Sequence, residues 1–520
     1  MSPVARNDSR LEVLLDQLVI GCCIDRSSWH LLSETYLLPS CIVISLPLHS
    51  VVPCLLMPIS QARTIAFDVL LRVAKQGAYA DDVLRAELDG TVKTEDAGLA
   101  TELALGVLRW QRLLDFVIDR YLKNPANTAD VEVRIALRLG VYQLLFLDRV
   151  PARAAVHESV ELVKRARKRS AATLVNAVLR KIAKEPFPGN SPADAVAGLL
   201  PTDIPLADRL GIQYSHPTWI VERWLRIYGE ERTRDLLQAN NRVPVLSGYL
   251  LDPQRREDSN LSLQRAGCSI QPGLLLRDAW VMEGGNPAAS EAVRCGWVAI
   301  QDEASQAVAG LVAADPGNTV LDLCAAPGGK TLLLARAAGP QGHVVAADLH
   351  EHRINAMKER LKLASVRNVE TVILDGSQPL PFELPFDRIL VDVPCSGTGT
   401  LARHPEIRWK LRAEDLKDLH DRQARLLRNA LPHLALHGRL VYSTCSLEPE
   451  ENEFVVREVL GGLGDTFRVA DPRSAIGSIL RESVRAESVA CADGFFRTFP
   501  PEHGADGFFA AVIERQKPKA

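Results

Sequence analysis

The sequence predicts a multidomain chain: an all-α bundle, a small α+β insert, and a C-terminal α/β domain built on a mostly parallel sheet. Three observations carry that prediction. At 520 residues the chain exceeds what a single hydrophobic core organises. Residues 58–184 place apolar side chains at three- and four-residue steps almost throughout. From Thr319 onward, short β-branched runs alternate with glycine turns and 12–15-residue helical patterns, as right-handed crossovers onto a parallel sheet require.

Composition sets the outer limits. A hydrophobic share of 47% with 24% charged residues is ordinary globular chemistry and excludes a fibre or a disordered chain. The ten cysteines show no paired metal-ribbon spacing, so neither a disulfide framework nor a metal site is expected. A net charge of −3 argues against a protein that coats nucleic acid. Locally the balance inverts: between Pro151 and Lys184 nine Lys or Arg face two acids, an excess of +7. The run Lys164, Arg165, Arg167, Lys168 and Arg169 is its densest part, and either a phosphate-binding strip or a solvated helix face explains it.

Taken in order, residues 1–56 are expected to be a poorly ordered extension or a mis-assigned start, with the functional beginning near Met57. The apolar run "ETYLLPSCIVISLPLHSVVPCLLMPI" is broken by prolines, follows several acids and lacks a basic leader, so an anchor is not favoured and a cytoplasmic location is expected. Residues 57–186 read as the helical bundle, from "AFDVLLRVA" through "VRIALRLGVYQLLFL" to "AAVHESVELVKRA". "EPFPGNSPAD" at 185–194 has linker composition and opens a segment, 187–300, that combines a helix at 216–229 with short apolar runs and turns. Residues 301–520 form the α/β domain.

In that domain "DLCAAPGGKT" ends like a phosphate loop, but such a loop needs glycine where Cys324 stands. What remains is a tight strand-to-helix turn, whose Gly328 and Gly329 let the backbone approach a ligand. Asp348 closes the next strand, where a ribose-diol acceptor belongs. Asp322, Asp375 and Asp392 end neighbouring strands, so the rim is acidic. An acidic rim repels pyrophosphate and suits a cation, and S-adenosylmethionine carries both a sulfonium and an ammonium. Cys395 in "DVPCSGTGT" and Cys445 in "YSTCSLEPEENE" follow two of these strands. Carbon 5 of cytosine becomes nucleophilic only after a thiolate adds to carbon 6, so thiols facing the cofactor would select that chemistry. Spacing does not separate this role from two small buried hydrophobes, and it does not rank the two sulfurs.

The stretches "DLCAAPGGKT", "DRILVDVPCSGTG", "RHPEIRW", "YSTCSLEPEENE" and "DGFFAAVIER" resemble the bacterial 16S ribosomal RNA cytosine-5 methyltransferases of the RsmB (Sun/Fmu) type, within the RNA 5-methylcytosine methyltransferase family. The resemblance runs from about Ile59 to the end and includes the helical part, which is similar to NusB. It implies a Rossmann-like class I methyltransferase domain with a seven-stranded sheet, S-adenosylmethionine as cofactor, and 16S ribosomal RNA as partner, through an unpaired or flipped cytosine. A monomer is expected. The resemblance also implies Cys445 as nucleophile, Cys395 as the thiol that assists product release, and Asp392 at the cytosine edge near N3 and beside the cofactor. Cys324, Ala325, Ala326, Pro327, Gly328, Gly329 and Lys330 would hold the methionine part, Asp348 the ribose and Asp375 the adenine. Lys330 would neighbour the base, and Arg403 and His404 would steer the RNA strand. Two departures stand out. The stretch "NNRVPVLSGYLLDPQRR" leaves Arg242 unassigned, and Asp-Gly-Phe-Phe occurs twice near the end, the first copy placed as the other arm of a hairpin. Other readings of the residues are the same chemistry on transfer RNA or another ribosomal site, and a non-catalytic RNA-binding assembly factor.

Overall fold

The structure is a computed structural model that describes residues 59–88, 92–124, 130–187, 189 and 191–516; the expectation for residues 1–56 lies outside them. From Ile59 onward the chain forms one compact unit.

Helices α1 (Gln61–Gln76), α2 (Ala80–Glu87), α3 (Thr94–Arg109), α4 (Gln111–Asp119), α5 (Val131–Phe146), α6 (Ala152–Arg165) and α7 (Ala172–Ile182) build the predicted bundle. Their apolar stripes meet in one core that includes Phe67, Leu103, Leu113, Ile135, Leu137 and Leu179. At Gly106 the packing is tight enough that an added Cβ would lie 2.2 Å from the Tyr142 ring.

The helix expected at 216–229 is longer. α8 runs from Thr218 to Ala239, turned at Gly229, whose φ of +77° suits glycine. The segment after it is an antiparallel four-stranded sheet of β1 (Leu246–Leu250), β2 (Ser269–Pro272), β3 (Ala279–Glu283) and β4 (Val298–Ile300), in the order β2-β3-β1-β4. It delivers the chain into α9 (Glu303–Leu311).

The C-terminal sheet contains β5 (Thr319–Asp322), β6 (His343–Asp348), β7 (Val369–Ile373), β8 (Phe386–Asp392), β9 (Leu434–Thr444), β10 (Phe467–Ala470) and β12 (Phe508–Arg515), ordered β10-β12-β9-β8-β5-β6-β7. β11 (Phe496–Thr498) adds an antiparallel partner to β12, so the two Asp-Gly-Phe-Phe copies do lie in the two arms of a hairpin. Pairings among β5 to β9 are parallel, and β12 runs against β9. Strand alternation sends Val320, Leu390, Val441 and Val512 to the core on one face. Leu321, Ile389, Leu440 and Ile513 enter the core on the other. β5, β6 and β7 wind outward in one direction and β8, β9 in the other, so the crevice between β5 and β8 is a topological switch point, the place where such sheets take ligands.

Candidate active site

Both predicted clusters converge at that switch point. α10 (Gly329–Ala338) follows the glycine turn, and Lys330 in its first turn reaches across the crevice, its Nζ donating to Asp392 Oδ2 at 2.7 Å. Asp392 Oδ1 accepts from Ser443 Oγ on β9 at 2.7 Å. Burial pulls the Lys330 pKa down, but the Asp392 carboxylate, seconded by Cys445 and Asp322, outweighs it and leaves the pKa raised. The ammonium stays charged and also lies 5.1 Å from the Phe508 ring centroid. Asp322, deep beneath, is pushed up to about 7 by burial, against the hydrogen bond from Thr331 Oγ1 at 2.8 Å.

The two sulfurs stand next to this pair. Cys395 Sγ and Cys445 Sγ are 3.2 Å apart and both are free thiols. Buried polar groups from "STCSLEPEEN" fix the two loops together: Glu451 accepts from Ser396 N at 2.8 Å, Gln423 Nε2 at 2.9 Å and Ser446 Oγ at 2.5 Å. Gly399 N donates to Cys445 O at 2.9 Å, and Gly507 N donates to Gly399 O at 2.8 Å. The hydrogen bond with Cys445 and burial hold the Cys395 thiol well above the ordinary cysteine value, so it retains its proton.

On the other side of Lys330 a cleft of about 220 Å³ is lined by Asp322, Cys324, Gly329, Lys330 and Asp392, with Gln301 and Ser305 added from the β4 end and α9. Ala325, Ala326 and Pro327 also face it. The donor set fits S-adenosylmethionine. Gln301 Oε1 is buried without a hydrogen-bond partner among the described residues, an acceptor suited to an ammonium. Gly329 lines the cleft without a side chain, while Gly328 before it is buried, holds φ +92° and would place a Cβ 2.7 Å from Met357 Cγ. The lining carries two carboxylates, Asp322 and Asp392, and two cations, Lys330 and Arg360, so the acidic rim expected from four strand ends is reduced to a charge-balanced wall.

Other expected site residues are placed differently. Asp348 is 4% exposed, accepts from Ala326 N at 3.2 Å and His350 N at 3.1 Å, and pairs with Arg353; it supports the glycine turn from below and is not among the residues lining the cleft. Asp375 lies two residues beyond β7, exposed, its Oδ1 occupied by Ser377 N and Oγ at 2.9 and 2.7 Å. Arg403, expected to steer RNA, is enclosed instead between Asp302 and Asp506, both at 2.8 Å, and also donates to Val245 O. His404 turns its Nδ1 to Asp81 of α2 at 3.5 Å. In the basic run Lys164 pairs with Glu161, Arg165 with Asp68 and Lys168 with Asp130, while Arg167 and Arg169 are exposed. Sequence reasoning missed Gln301. An apolar strand ending in Gln-Asp-Glu before a helix, with Asp302 capping Ala304 N at 2.9 Å, was the available signal.

The fold and the cleft define an S-adenosylmethionine-dependent methyltransferase carrying an N-terminal helical domain. Residues 309–514 match the family model described as 16S rRNA methyltransferase RsmB/F, and residues 60–184 that of the NusB family. The chain belongs to the ribosomal RNA small subunit methyltransferase B family. The Bacillus subtilis (strain 168) protein named probable ribosomal RNA small subunit methyltransferase B is 31% identical over 462 residues, which cover 88% of this chain and 99% of that protein. The Escherichia coli (strain K12) ribosomal RNA small subunit methyltransferase B is 33% identical over 408 residues, 78% and 90% of the two lengths. The crystal structure of PH0851 superposes with a TM-score of 0.71 at 25% identity, covering 87% of this chain and 98% of its own. Among the described residues no helix is long and apolar enough to cross a membrane.

Proposed function

We propose that the chain methylates carbon 5 of a cytosine in 16S ribosomal RNA through a transient bond between Cys445 Sγ and carbon 6 of the base. The observation that carries this reading is the pair of free thiols 3.2 Å apart beside the Lys330–Asp392 ion pair. Transfer to an oxygen or an exocyclic amine needs no thiol, so two of them at the switch point favour ring chemistry.

Cys445, the thiol of the threonine-cysteine loop, is taken as the attacking sulfur, and Cys395, 3.2 Å away, as its proton partner. The Cys445 thiol gives its proton to water, its electron pair forms the bond to carbon 6, and charge moves toward N3 and the exocyclic edge. The Lys330 ammonium meets that charge, while Asp392 accepts from the base amino group and keeps the ammonium in place. The bound cofactor supplies a methyl group carried on a sulfonium. Carbon 5, now enamine-like, takes that methyl group and then gives up its proton to water. The carbon–sulfur bond breaks as the ring recovers aromaticity, and the Cys395 proton at 3.2 Å is available to the departing sulfur.

The experiment is direct. Incubation with methyl-labelled S-adenosylmethionine and, in parallel, unmodified 16S ribosomal RNA or transfer RNA, followed by nucleotide mapping, is expected to give one 5-methylcytosine, in the 16S ribosomal RNA. Label confined to transfer RNA would move the substrate, and no label on any RNA would leave a binding factor.

A further inference from the structure

A second opening, which shares no lining residue with the cofactor cleft, reaches Cys395. This groove, about 340 Å³, is lined by Tyr79, Cys395, Ser396, Ile407, Lys410 and Arg422. All but Tyr79 come from the C-terminal domain. Tyr79 belongs to the helical bundle, immediately ahead of α2, and the residue is 55% exposed.

An exposed tyrosine is common; one held as this one is held is not. Lys410 Nζ lies 4.3 Å from the Tyr79 ring centroid. That ammonium donates to Gly77 O at 2.8 Å and Ala78 O at 2.7 Å, the two carbonyls before the tyrosine. On the other side, Ala80 N donates to Glu406 Oε1 at 3.0 Å. The residues flanking Tyr79 are therefore tied to the segment that follows the Cys395 loop, and the ring is fixed with a cation against it. Asp415 and Asp418 also border the groove, Asp415 accepting from Arg412 N at 2.9 Å, while Arg422 is the guanidinium a strand phosphate would meet.

A nucleotide drawn out of its strand to reach a thiol leaves the neighbouring base without a stacking partner. A rigid aromatic ring beside the entrance replaces that partner without reading sequence, because every base has a π-face. We infer that Tyr79 stacks against the base adjacent to the target cytosine, so that the helical domain supplies part of the substrate site and is not merely a distant anchor. The inference rests on the RNA methylation reading above.

The test uses the full chain and a short fragment of 16S RNA containing the mapped target, with Tyr79→Phe, Tyr79→Leu and Tyr79→Ala. The expectation is that Phe stays within about 2-fold of wild type. Leu and Ala raise the KM for RNA ~10-fold or more, with kcat nearly unchanged and the melting temperature unmoved. Removing the base next to the target should weaken binding to wild type but add little further loss in Tyr79→Ala, as coupled partners require. A Leu variant indistinguishable from wild type, an Ala variant with unchanged KM, or additive losses in the abasic comparison would each overturn the inference. Binding of the same RNA measured by anisotropy in a Cys445→Ala background separates the two readings. Tyr79-dependent binding without any methylation by wild type refutes the proposed reaction alone, and absence of both binding and methylation refutes both.

Discussion

Cys395 Sγ lies 3.2 Å from Cys445 Sγ, on loops that leave adjacent parallel strands. The separation exceeds a disulfide bond of about 2.05 Å and places one thiol as proton donor to the other. Neither loop reaches this position alone: Glu451 accepts hydrogen bonds from both, and Gly399 is bonded to Cys445 O and to Gly507 N. The sequence-distant halves of the site are thus locked by buried polar groups whose loss would be felt as chemistry.

The two thiols should fail differently. Cys445→Ala is expected to abolish methylation, a fall of at least ~10⁴-fold, because no other group activates carbon 5. Cys395→Ser or Cys395→Ala should still form the carbon–sulfur bond and release it slowly, so a covalent protein–RNA band accumulates on a denaturing gel with end-labelled RNA. A band that survives Cys445→Ala would transfer the nucleophile to another residue.

Lys330→Met removes the cation opposite Asp392 and leaves that carboxylate the hydrogen bond from Ser443 Oγ. Loss of one oriented donor at a site of developing charge costs ~10²–10³ in kcat. Single-turnover rates at saturating RNA should show that drop while RNA affinity changes little. An effect on KM alone would place Lys330 in binding and not in the reaction.

Local pattern made much of this legible. The strands β5 to β9 follow from β-branched runs, and the period-2 alternation that fills the two cores also puts Asp322, Asp392 and the cysteines at one edge. What local pattern does not carry is pairing across distance. Gln301 enters the cleft because the insert sheet ends there, and nothing in its own neighbourhood announces a ligand. Arg403 reads as an exposed cation beside a catalytic loop until Asp302 and Asp506, about one hundred residues away on either side, enclose it. The basic run loses half its apparent purpose the same way, with Asp68 and Asp130 as partners. Asp375 belongs to a turn with Ser377, a role that Asp-Gly-Ser after a strand also permits.

Stability of the protein without cofactor should fall as pH rises from about 4 to about 7. Asp322 has its folded pKa raised to about 7, chiefly by burial, whereas an unfolded aspartate titrates near 3.9. A raised carboxyl pKa means the folded state binds the proton more tightly in that window, so stability is full below it and declines through it. Asp506, raised to about 7 by burial and by Asp302, adds in the same direction. Urea unfolding at pH 5 and pH 8 should show a smaller difference in Asp322→Asn than in wild type; an unchanged difference would mean the carboxyl ionises freely in the folded protein.

Gly399→Ala tests the lock directly. An added Cβ would lie 2.0 Å from Gly507 O, a backbone atom that cannot swing aside. Either the Cys395 loop or the start of β12 must move, at a cost of about 1–3 kcal/mol. The expected result is a lowered denaturation midpoint together with a loss of turnover that exceeds the loss of folded protein. Unaltered turnover would mean the spacing between the loops is not set here.

Arg408 joins four parts of the chain without a carboxylate partner. It is 0% exposed, and its fork donates to Arg109 O, Ser215 O, Asn240 O, Asn241 Oδ1 and Leu401 O at 2.9–3.2 Å. Burial, then the Arg109 charge, lowers its pKa well below the usual arginine value, with Glu406 opposing. The neutral oxygens therefore compensate a charge that a single ammonium could not distribute among them, since lysine offers three donors at one point and arginine five in a plane. Arg408→Lys should cost about 3–5 kcal/mol of stability, the range for a disrupted buried charge. Because the bonded carbonyls belong to α3, to the turn before α8, to the segment after it and to the Cys395 loop, the loss should fall on their mutual docking. Amide exchange in Arg408→Lys is expected to rise first at Trp110, Ser215 and Asn241, before the sheet β5 to β9. Simultaneous loss of protection in the sheet would show that the bundle and the catalytic domain unfold as one cooperative unit.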